Sequence, residues 1–180
     1  MPELDAVSVV IPTRGRADEL CRAVMSALGQ SRSPLEVVVV IDGTEPETRE
    51  CLAAMQDDRI RVIETGSLAG PQAARNAGIR ATRGDWVALL DDDDEWKPDK
   101  LERQLRIALA ARVPHPIVGC HIIARGQTDF IWPRRLPGVG EDLSEYLLAR
   151  RSLFQGEGVF QTSMLLTTRP LLLQVPFDET

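Results

Sequence analysis

Short apolar runs alternate with amphipathic stretches through the first 112 residues, and this alternation constrains the fold more than any other feature. Glu36–Ile41 is almost wholly Val and Ile, which is typical of a strand buried on both faces of a parallel sheet. Val7–Ile11 and Trp86–Leu90 have the same character, and Arg59–Glu64 alternates as a strand with one exposed face does. Strands separated by helices predict an α/β fold with a mostly parallel sheet flanked by helices.

Four helices are predicted between and after these strands from the spacing of their apolar residues and from their end signals. The first, with Leu20, Val24 and Leu28 on one face, ends near Gly29. The others run from a capping box at Thr44 and Glu47 through Met55, from Pro71 to about Thr82, and from Pro98 to Arg112 with Leu101, Leu105 and Leu109 on one face.

The pattern changes at Val113, so we divide a single domain into halves at residues 1–112 and 113–180. In the second half we predict a strand, a Gly-, Pro- and Arg-rich loop, a short helix and another strand, at Ile117–Ala124, Gly126–Gly140, Asp142–Arg150 and Gln161–Thr167. Gly-flanked loops in this half are where a second substrate is expected to bind.

Composition excludes several classes of protein. The net charge of -6 argues against non-specific nucleic-acid binding, and no apolar stretch is long enough to cross a membrane. Three scattered cysteines, with Cys21 and Cys51 interpreted as small buried hydrophobic residues of helices, favour a reduced, cytosolic setting.

Four consecutive aspartates, Asp91–Asp94, directly follow the apolar run Trp86–Leu90. Ligands bind outside the carboxyl ends of strands in open α/β sheets. Adjacent carboxylates repel one another, so the tetrad predicts a site for a hard divalent cation. The alternative is a solvated acidic loop that caps the next helix.

Polar residues also follow the other strands: Thr13, Arg14 and Arg16 after the first, and Asp42 after the second. Arg75 lies near the start of the helix before the tetrad. If the sheet is parallel, these residues gather at one edge, where Asp42 could accept hydrogen bonds from a nucleoside and Arg75 could pair with a phosphate. The alternatives are an ordinary turn at Asp42 and a surface arginine at Arg75.

Four ordered segments carry a resemblance to a known family. They are Val9–Thr13, Asp42–Thr44, Ala74–Ile79 and Leu90–Trp96, with weaker continuations at Gln161–Ser163 and Pro176–Glu179. The set resembles the family-two glycosyltransferases of GT-A fold. The resemblance implies inverting transfer of a sugar from a nucleotide-diphospho-sugar to a glycan or lipid-linked acceptor. It implies cell-envelope polysaccharide biosynthesis in the cytoplasm, with peripheral contact at the inner face of the membrane allowed.

The resemblance also assigns residues. Donor binding falls to Pro12, Thr13, Arg14, Asp42, Arg75, Asp91 and Asp92. The resemblance implies that Asp93 is the direct ligand of Mg²⁺ or Mn²⁺, that Asp91 contacts the ribose or the metal, directly or through another ligand of the metal, and that Asp94 is a further candidate for the metal. Ile41 replaces the first of two aspartates that the family often has before Gly43, which leaves the contact of Asp42 with the base intact.

The general base is not assigned. In relatives an acidic motif follows a segment like Pro176–Thr180, so the resemblance implies a base beyond Thr180. Glu157 and Asp178 are weak candidates by elimination, because direct displacement needs a carboxylate to accept the acceptor's proton. The chain is then a donor-binding core without turnover, or part of a longer enzyme.

Three other functions remain open. A phosphohydrolase of the haloacid-dehalogenase type also has D-x-D after an apolar strand, but Glu95 stands where its motif needs Thr or Val. A nucleotidyltransferase usually has a Gly-rich loop after the first strand, which Pro12–Arg16 resembles only faintly. A nucleotide- or Ca²⁺-binding module is the non-enzymatic alternative, although Trp96 replaces the Gly of an EF-hand loop.

Overall fold

The computed structural model describes residues 5–126, 128–138, 140–148 and 160–180. Its strands are β1 Val7–Thr13, β2 Glu36–Ile41, β3 Ile60–Glu64, β4 Trp86–Leu89, β5 Ile122–Ala124, β6 Phe130–Trp132 and β7 Leu166–Thr168. Its helices are α1 Ala17–Leu28, α2 Pro46–Ala54, α3 Pro71–Ala81, α4 Lys100–Ala110, α5 Leu143–Leu148 and α6 Arg169–Gln174, with a 3-10 helix at Thr162–Met164.

The central sheet has five strands in the order β3-β2-β1-β4-β7. The first four strands are parallel, and β7 pairs antiparallel with β4 through Trp86–Thr168, Val87–Thr167 and Ala88–Leu166. The prediction of a mostly parallel α/β sheet is therefore confirmed. Because β1, β2 and β4 run in the same direction, their carboxyl ends meet at one edge of the sheet.

Alternate residues of the strands supply two separate cores. Val9 and Ile11 of β1 face a cluster that includes Leu20 of α1 and Leu101 of α4. Val10, on the opposite face, belongs to a second cluster that contains Val38 and Val40 of β2 and Ala74 and Ile79 of α3. Because helices cover both faces of the sheet, β1 and β2 contain no exposed position.

Helix α3 lies close against the sheet at Gly78. A Cβ added at this position would lie 2.4 Å from Val10 Cγ1 and 2.9 Å from Val40 Cγ2. Because Gly78 has no side chain, α3 can pack directly against the sheet. This packing sets the distance of Arg75 and Asn76 from the sheet.

Two predictions about helices in the first half are wrong. Helix α2 does not begin with a capping box at Thr44: its N-cap is Glu45 and Pro46 occupies the first turn. The Glu45 carboxylate accepts hydrogen bonds from Thr48 Oγ1 at 2.8 Å and from the Gly15 backbone N–H at 2.6 Å. In α4, Leu109 is exposed and Ala108 is buried, because 3.6 residues per turn carries position 109 away from Leu101 and Leu105.

The second half departs further from its predictions. The strand predicted at 117–124 is reduced to β5, apart from an isolated bridge between Val118 and Leu166. Strand β6 forms a hairpin with β5 inside the segment predicted as a loop. The strand predicted at Gln161–Thr167 begins as a 3-10 helix and becomes β7 only at Leu166. Helix α5 ends at Leu148 within the described residues.

The first two helices are joined by a disulfide between Cys21 and Cys51, whose Cα atoms are 7.1 Å apart. The interpretation of these cysteines as buried hydrophobic residues is therefore wrong, because both are half-buried and they contact each other. Cys120 is free. Across the described parts of the chain, the helices lack the combination of length and apolar character that crossing a membrane requires.

Candidate functional site

The carboxyl ends of β1, β2 and β4 and the first turns of α3 surround one cleft of about 440 Å³. It is lined by Pro12, Thr13, Arg14, Arg16, Asp42, Gly70, Pro71, Ala74, Arg75, Asp91, Asp92 and Asp93. The structure thus brings together the whole predicted donor set and two of the three predicted metal ligands, Asp91 and Asp93.

Asp92 and Asp93 are connected to the loop after β1. Thr13 Oγ1 donates a hydrogen bond to Asp92 Oδ2 at 2.8 Å, and this pair is buried. Arg16 Nη1 contacts Asp92 Oδ1 at 3.2 Å and Asp93 Oδ2 at 2.8 Å, so one guanidinium bridges two carboxylates. The negative charges of Asp92 and Asp93 raise the pKa of Arg16.

Asp91 is held by residues from α3 and from the second half of the chain. Arg75 Nη2 lies 2.5 Å from Asp91 Oδ1, and Thr162 Oγ1 donates to Asp91 Oδ2 at 2.6 Å. The backbone N–H of Asp91 donates to Ser163 Oγ at 2.9 Å. Arg75 Nε is buried without a hydrogen-bond partner among the described residues.

Asp42 lies at the end of β2 and organises the loop that enters α3. Its Oδ1 accepts hydrogen bonds from the Ala69 N–H at 2.7 Å and Thr65 Oγ1 at 3.2 Å, and its Oδ2 accepts from the Gly70 N–H at 3.1 Å. A carboxylate has about four acceptor positions, so three of them are used within the protein. Oδ2 has one described hydrogen bond, and Asp42 is among the residues that line the cleft.

Asp94 is not among the residues that line the cleft. Burial raises the pKa of Asp94, a hydrogen bond with Ser163 opposes this rise, and the carboxylates of Asp91, Asp93 and Asp92 add to it. The next turn is fixed by Trp96, whose Nε1–H donates to the Ser163 carbonyl at 3.0 Å. Lys100 Nζ lies 3.9 Å from the centre of the Trp96 ring, and burial lowers the pKa of Lys100 to about 8.

The carboxylates at the cleft are of the type that binds a divalent cation. Within the described ranges, no three His, Cys, Asp or Glu side chains come together as a metal cluster. Asp91 and Asp93 nevertheless place carboxylate oxygens on one cleft, and the Asp93 side chain is 55% exposed. Mg²⁺ and Mn²⁺ are commonly held by one or two carboxylates and completed by phosphate oxygens and water. The residues therefore fit a cation that binds together with a diphosphate.

Three residues of the site were given no individual role by sequence reasoning. Arg16 was noted only as polar, and Thr162 only as part of a weak continuation of the resemblance. Asn76 is buried and pairs with the backbone of Phe177: its Nδ2 donates to the Phe177 carbonyl at 2.8 Å, and its Oδ1 accepts from the Phe177 N–H at 3.0 Å. The signal for Asn76 was its place beside Arg75 in the third motif.

The two weak candidates for a general base have different outcomes. Glu157 lies outside the described residues. Asp178 does not line the cleft, and its carboxylate accepts hydrogen bonds from the backbone N–H and hydroxyl of Thr180. These two hydrogen bonds lower the pKa of Asp178. The neighbouring Glu179 accepts from Asn76 Nδ2 at 2.7 Å.

Comparison with known protein families decides the relationship of the chain. The model of a family described as "Glycosyl transferase family 2" matches residues 8–174. The chain belongs to this family. The GT-A resemblance carried by the four motifs is thereby confirmed at the level of the family.

Individual relatives are similar over about three fifths to two thirds of the chain's length. The succinoglycan biosynthesis protein ExoO of Rhizobium meliloti (strain 1021) is 45% identical over 105 residues, which are 58% of this chain and 30% of ExoO. The putative teichuronic acid biosynthesis glycosyltransferase TuaG of Bacillus subtilis (strain 168) is 34% identical over 124 residues, which are 68% of this chain and 49% of TuaG. The chain thus spans less than half the length of these relatives.

A solved structure shares the fold over nearly all of the chain. S. aureus TarS 1–349 in complex with UDP matches with a TM-score of 0.70 at 18% identity, covering 97% of this chain and 50% of that chain. At this identity the similarity shows the fold alone.

Proposed function

We propose that the chain binds a nucleotide-diphospho-sugar and transfers its sugar, with inversion, to an acceptor hydroxyl. The observation that carries the proposal is the convergence of Asp42, Arg75 and Asp91–Asp93 on one cleft from three separate parts of the sheet edge. Membership of glycosyl transferase family 2 supports it. A carboxylate beside a nucleoside, an arginine beside a diphosphate and further carboxylates for a cation are the groups that such a donor requires.

Each side chain has a role in this proposal. Asp42, fixed by the amides of Ala69 and Gly70, offers its remaining acceptor position to the base, while Pro12, Thr13 and Arg14 form the nucleoside wall. Arg75, which lines the cleft beside Asp91, pairs with the diphosphate in this proposal. Asp91 contacts the ribose or the cation, and Asp92 holds Thr13 in place.

Asp93 is the proposed direct ligand of Mg²⁺ or Mn²⁺, because its carboxylate is exposed at the cleft. Asp91 is the proposed second carboxylate, whereas Asp94 is given no place in the metal site because it does not line the cleft. The cation would act as a Lewis acid that offsets the charge of the departing diphosphate.

The second half of the chain, 113–180, is the proposed acceptor side, since Thr162 and Ser163 reach the acidic loop from there. The printed names of ExoO and TuaG concern succinoglycan and teichuronic acid, which are polysaccharides. We therefore propose a glycan or lipid-linked acceptor in cell-envelope polysaccharide biosynthesis. The proposed location is the cytoplasm, with peripheral contact at the inner face of the membrane, and it rests on membership of the family and not on the cysteines, two of which form a disulfide.

Donor binding without turnover is the second candidate, and one observation favours it. Among the described residues, every carboxylate that lines the cleft already has a hydrogen-bond or ion-pair partner: Asp42, Asp91, Asp92 and Asp93. A general base must be able to accept a proton from the acceptor hydroxyl. A comparison of donor hydrolysis with donor binding distinguishes the two functions.

The proposal is tested by calorimetric titration of UDP, GDP, CDP and dTDP into the folded protein, with Mn²⁺ and with a chelator. We expect one nucleoside diphosphate to bind much more tightly in Mn²⁺. Arg75→Gln should weaken that binding, whereas Arg80→Gln, an exposed change in the last turn of the same helix, should not. Absence of metal-dependent nucleotide binding in a folded sample would remove the support for a donor site.

A further inference from the structure

The acidic loop already contains a cation of its own, the guanidinium of Arg16. Asp91 has Arg75 as its partner, and Asp92 has both Thr13 and Arg16, but the one ion pair of Asp93 within the described residues is with Arg16. Arg16 therefore occupies the carboxylate that is most exposed at the cleft. We propose that Arg16 is a displaceable counter-ion that holds the metal position until the donor arrives and then pairs with the donor's diphosphate. This inference rests on the proposed donor function.

Arg16 is positioned for such an exchange. It is the N-cap of α1, and its backbone is held in place because the neighbouring Gly15 N–H donates to Glu45. Its side chain is 51% exposed and contacts only Asp92 and Asp93 through Nη1 among the described residues. A fixed backbone with an exposed side chain allows the guanidinium to turn without disturbing the fold.

The guanidinium and a divalent cation cannot share Asp93 without cost. Arg16 Nη1 is 2.8 Å from Asp93 Oδ2, and a metal ion coordinates a carboxylate oxygen at about 2.0–2.1 Å. Both cations would then lie within about 5 Å of one another, where like charges repel. Departure of Arg16 from Asp93 therefore favours binding of the metal.

A displaced Arg16 remains at the cleft, because the residue itself lines its wall. Guanidinium groups bind phosphate oxygens through paired hydrogen bonds, so the diphosphate that arrives with the metal offers Arg16 a new partner. Arg16 is in this sense a positioning residue. It opposes metal binding in the absence of nucleotide and supports nucleotide binding in the presence of metal.

The two opposite effects give the test. Arg16→Met should tighten binding of Mn²⁺ alone by about threefold to fivefold, the scale of a surface ion pair, as measured by electron paramagnetic resonance. The same variant should weaken UDP binding at saturating Mn²⁺ by about tenfold, the scale of a lost charge-assisted hydrogen bond, as measured by calorimetry. Arg16→Lys keeps the positive charge but lacks the paired N–H groups of a guanidinium. Its affinities should lie between those of wild type and Arg16→Met in both measurements.

Arg22→Met is the matched control. Arg22 lies on the same helix, is 56% exposed and pairs with Glu95 of the same acidic loop at 3.6 Å, but it does not line the cleft. Arg22→Met should leave the affinity for Mn²⁺ alone and the affinity for UDP at saturating Mn²⁺ unchanged.

The inference is overturned if Arg16→Met weakens both affinities, as loss of a purely structural contact would, or if it leaves either one unchanged. Wild-type protein that binds no nucleotide with Mn²⁺ would instead overturn the proposed function, and the paired role of Arg16 with it. Wild-type binding combined with unaltered variants would overturn the role of Arg16 alone.

Discussion

The sheet has a buried carboxylate, Glu36, at its amino end and an exposed carboxylate, Asp93, at its carboxyl end. At the amino end, Glu36 begins β2 with 0% exposure and accepts hydrogen bonds from Ser8 Oγ at 2.7 Å, Arg61 Nη1 at 2.5 Å, and the backbone N–H and Nε of Arg83 at 2.6 and 3.0 Å. At the carboxyl end, Asp93 is 55% exposed and its one described ion pair is with Arg16.

The two ends show that a carboxylate's surroundings, and not its charge alone, decide its role. Burial by itself would raise the pKa of Glu36, but hydrogen bonds from Arg61, Ser8 and the Arg83 backbone outweigh it and hold that pKa below its usual value. About four acceptor positions are filled by four donors, so Glu36 has none left for a ligand. Asp93 retains most of its acceptor positions, which suits it to bind something from solution.

Helix α3 connects the two ends. Near its start, Arg75 pairs with Asp91 at the cleft, and at its end the Ala81 carbonyl accepts a hydrogen bond from Arg61, the partner of Glu36. Gly78 lies between them, in contact with Val10 and Val40. A change in the distance between α3 and the sheet should therefore affect both acidic sites.

The largest effect is expected at the buried end. Glu36→Gln removes the charge that Arg61 and Arg83 share and places an amide N–H₂ against other donors. We expect a loss of about 3 kcal/mol in the free energy of unfolding, the low end for breaking a buried pair, because both arginines reach water. Chemical denaturation would measure it, with Glu50→Gln, an exposed change on α2, as the control.

The same variant should change the dependence of stability on pH. Because folding lowers the pKa of Glu36, its contribution is fully present above the ordinary value of 4.5 and is lost as the pH falls through the lower folded value. Wild type should therefore lose more stability than Glu36→Gln on acidification below about pH 4.5. Equal losses would mean that Glu36 is not the stabilising acid described above.

At the open end we expect the reverse pattern, with a loss of binding and little loss of stability. Asp93→Asn should weaken Mn²⁺-dependent UDP binding by about 100-fold, equivalent to about 2.7 kcal/mol, because a neutral amide is a poor ligand for a hard cation. Its free energy of unfolding should change by less than about 1 kcal/mol, as for a surface ion pair. Asp99→Asn, at 54% exposure in its own pair with Arg103, should alter neither quantity appreciably.

How well the sequence predicts a feature depends on whether the residues that determine it are neighbours in the sequence. Strands β1, β2 and β4 were predicted because continuous Val, Ile, Leu and Ala runs have few other folds available. The parallel order then placed Asp42 and Asp91–Asp93 at one edge. The capping box at Thr44 was wrong although its local pattern matched, because Pro46 two residues later is better suited to the first helical turn.

Contacts between distant residues could not be predicted. Arg16 and Asp92 are 76 residues apart, and Asn76 and Phe177 are 101 residues apart. Strand β6 was missed and β5 was predicted too long, because all residues of these two strands are half-exposed or exposed, which weakens the apolar pattern that identifies a strand.

Gly78→Ala should affect both ends at once. The added Cβ would be 2.4 Å from Val10 Cγ1, so α3 must move away from the sheet or Val10 must shift. We expect a loss of about 2 kcal/mol in the free energy of unfolding, typical of overpacking, together with weaker UDP binding through a displaced Arg75. Gly126→Ala, in an exposed loop where the added Cβ would lie 3.8 Å from the Thr128 carbonyl oxygen, is the control. Reduced stability with unchanged UDP affinity would show that α3 does not couple the two ends.

The smallest effect is expected at Thr162, where the second half of the chain contacts Asp91 of the exposed acidic site. Thr162→Val removes the hydroxyl that donates to Asp91 Oδ2 and leaves Arg75 as the remaining described side-chain partner of that carboxylate. One hydrogen bond to a charged group contributes about 1.5 kcal/mol, but solvent in the half-open cleft can replace part of it. We therefore expect UDP binding to weaken by about threefold to fivefold in calorimetry, with full recovery in Thr162→Ser. Solvent can replace a lost hydrogen bond at the exposed acidic site but not at buried Glu36. A loss of stability as large as that of Glu36→Gln would therefore contradict the distinction between the two sites.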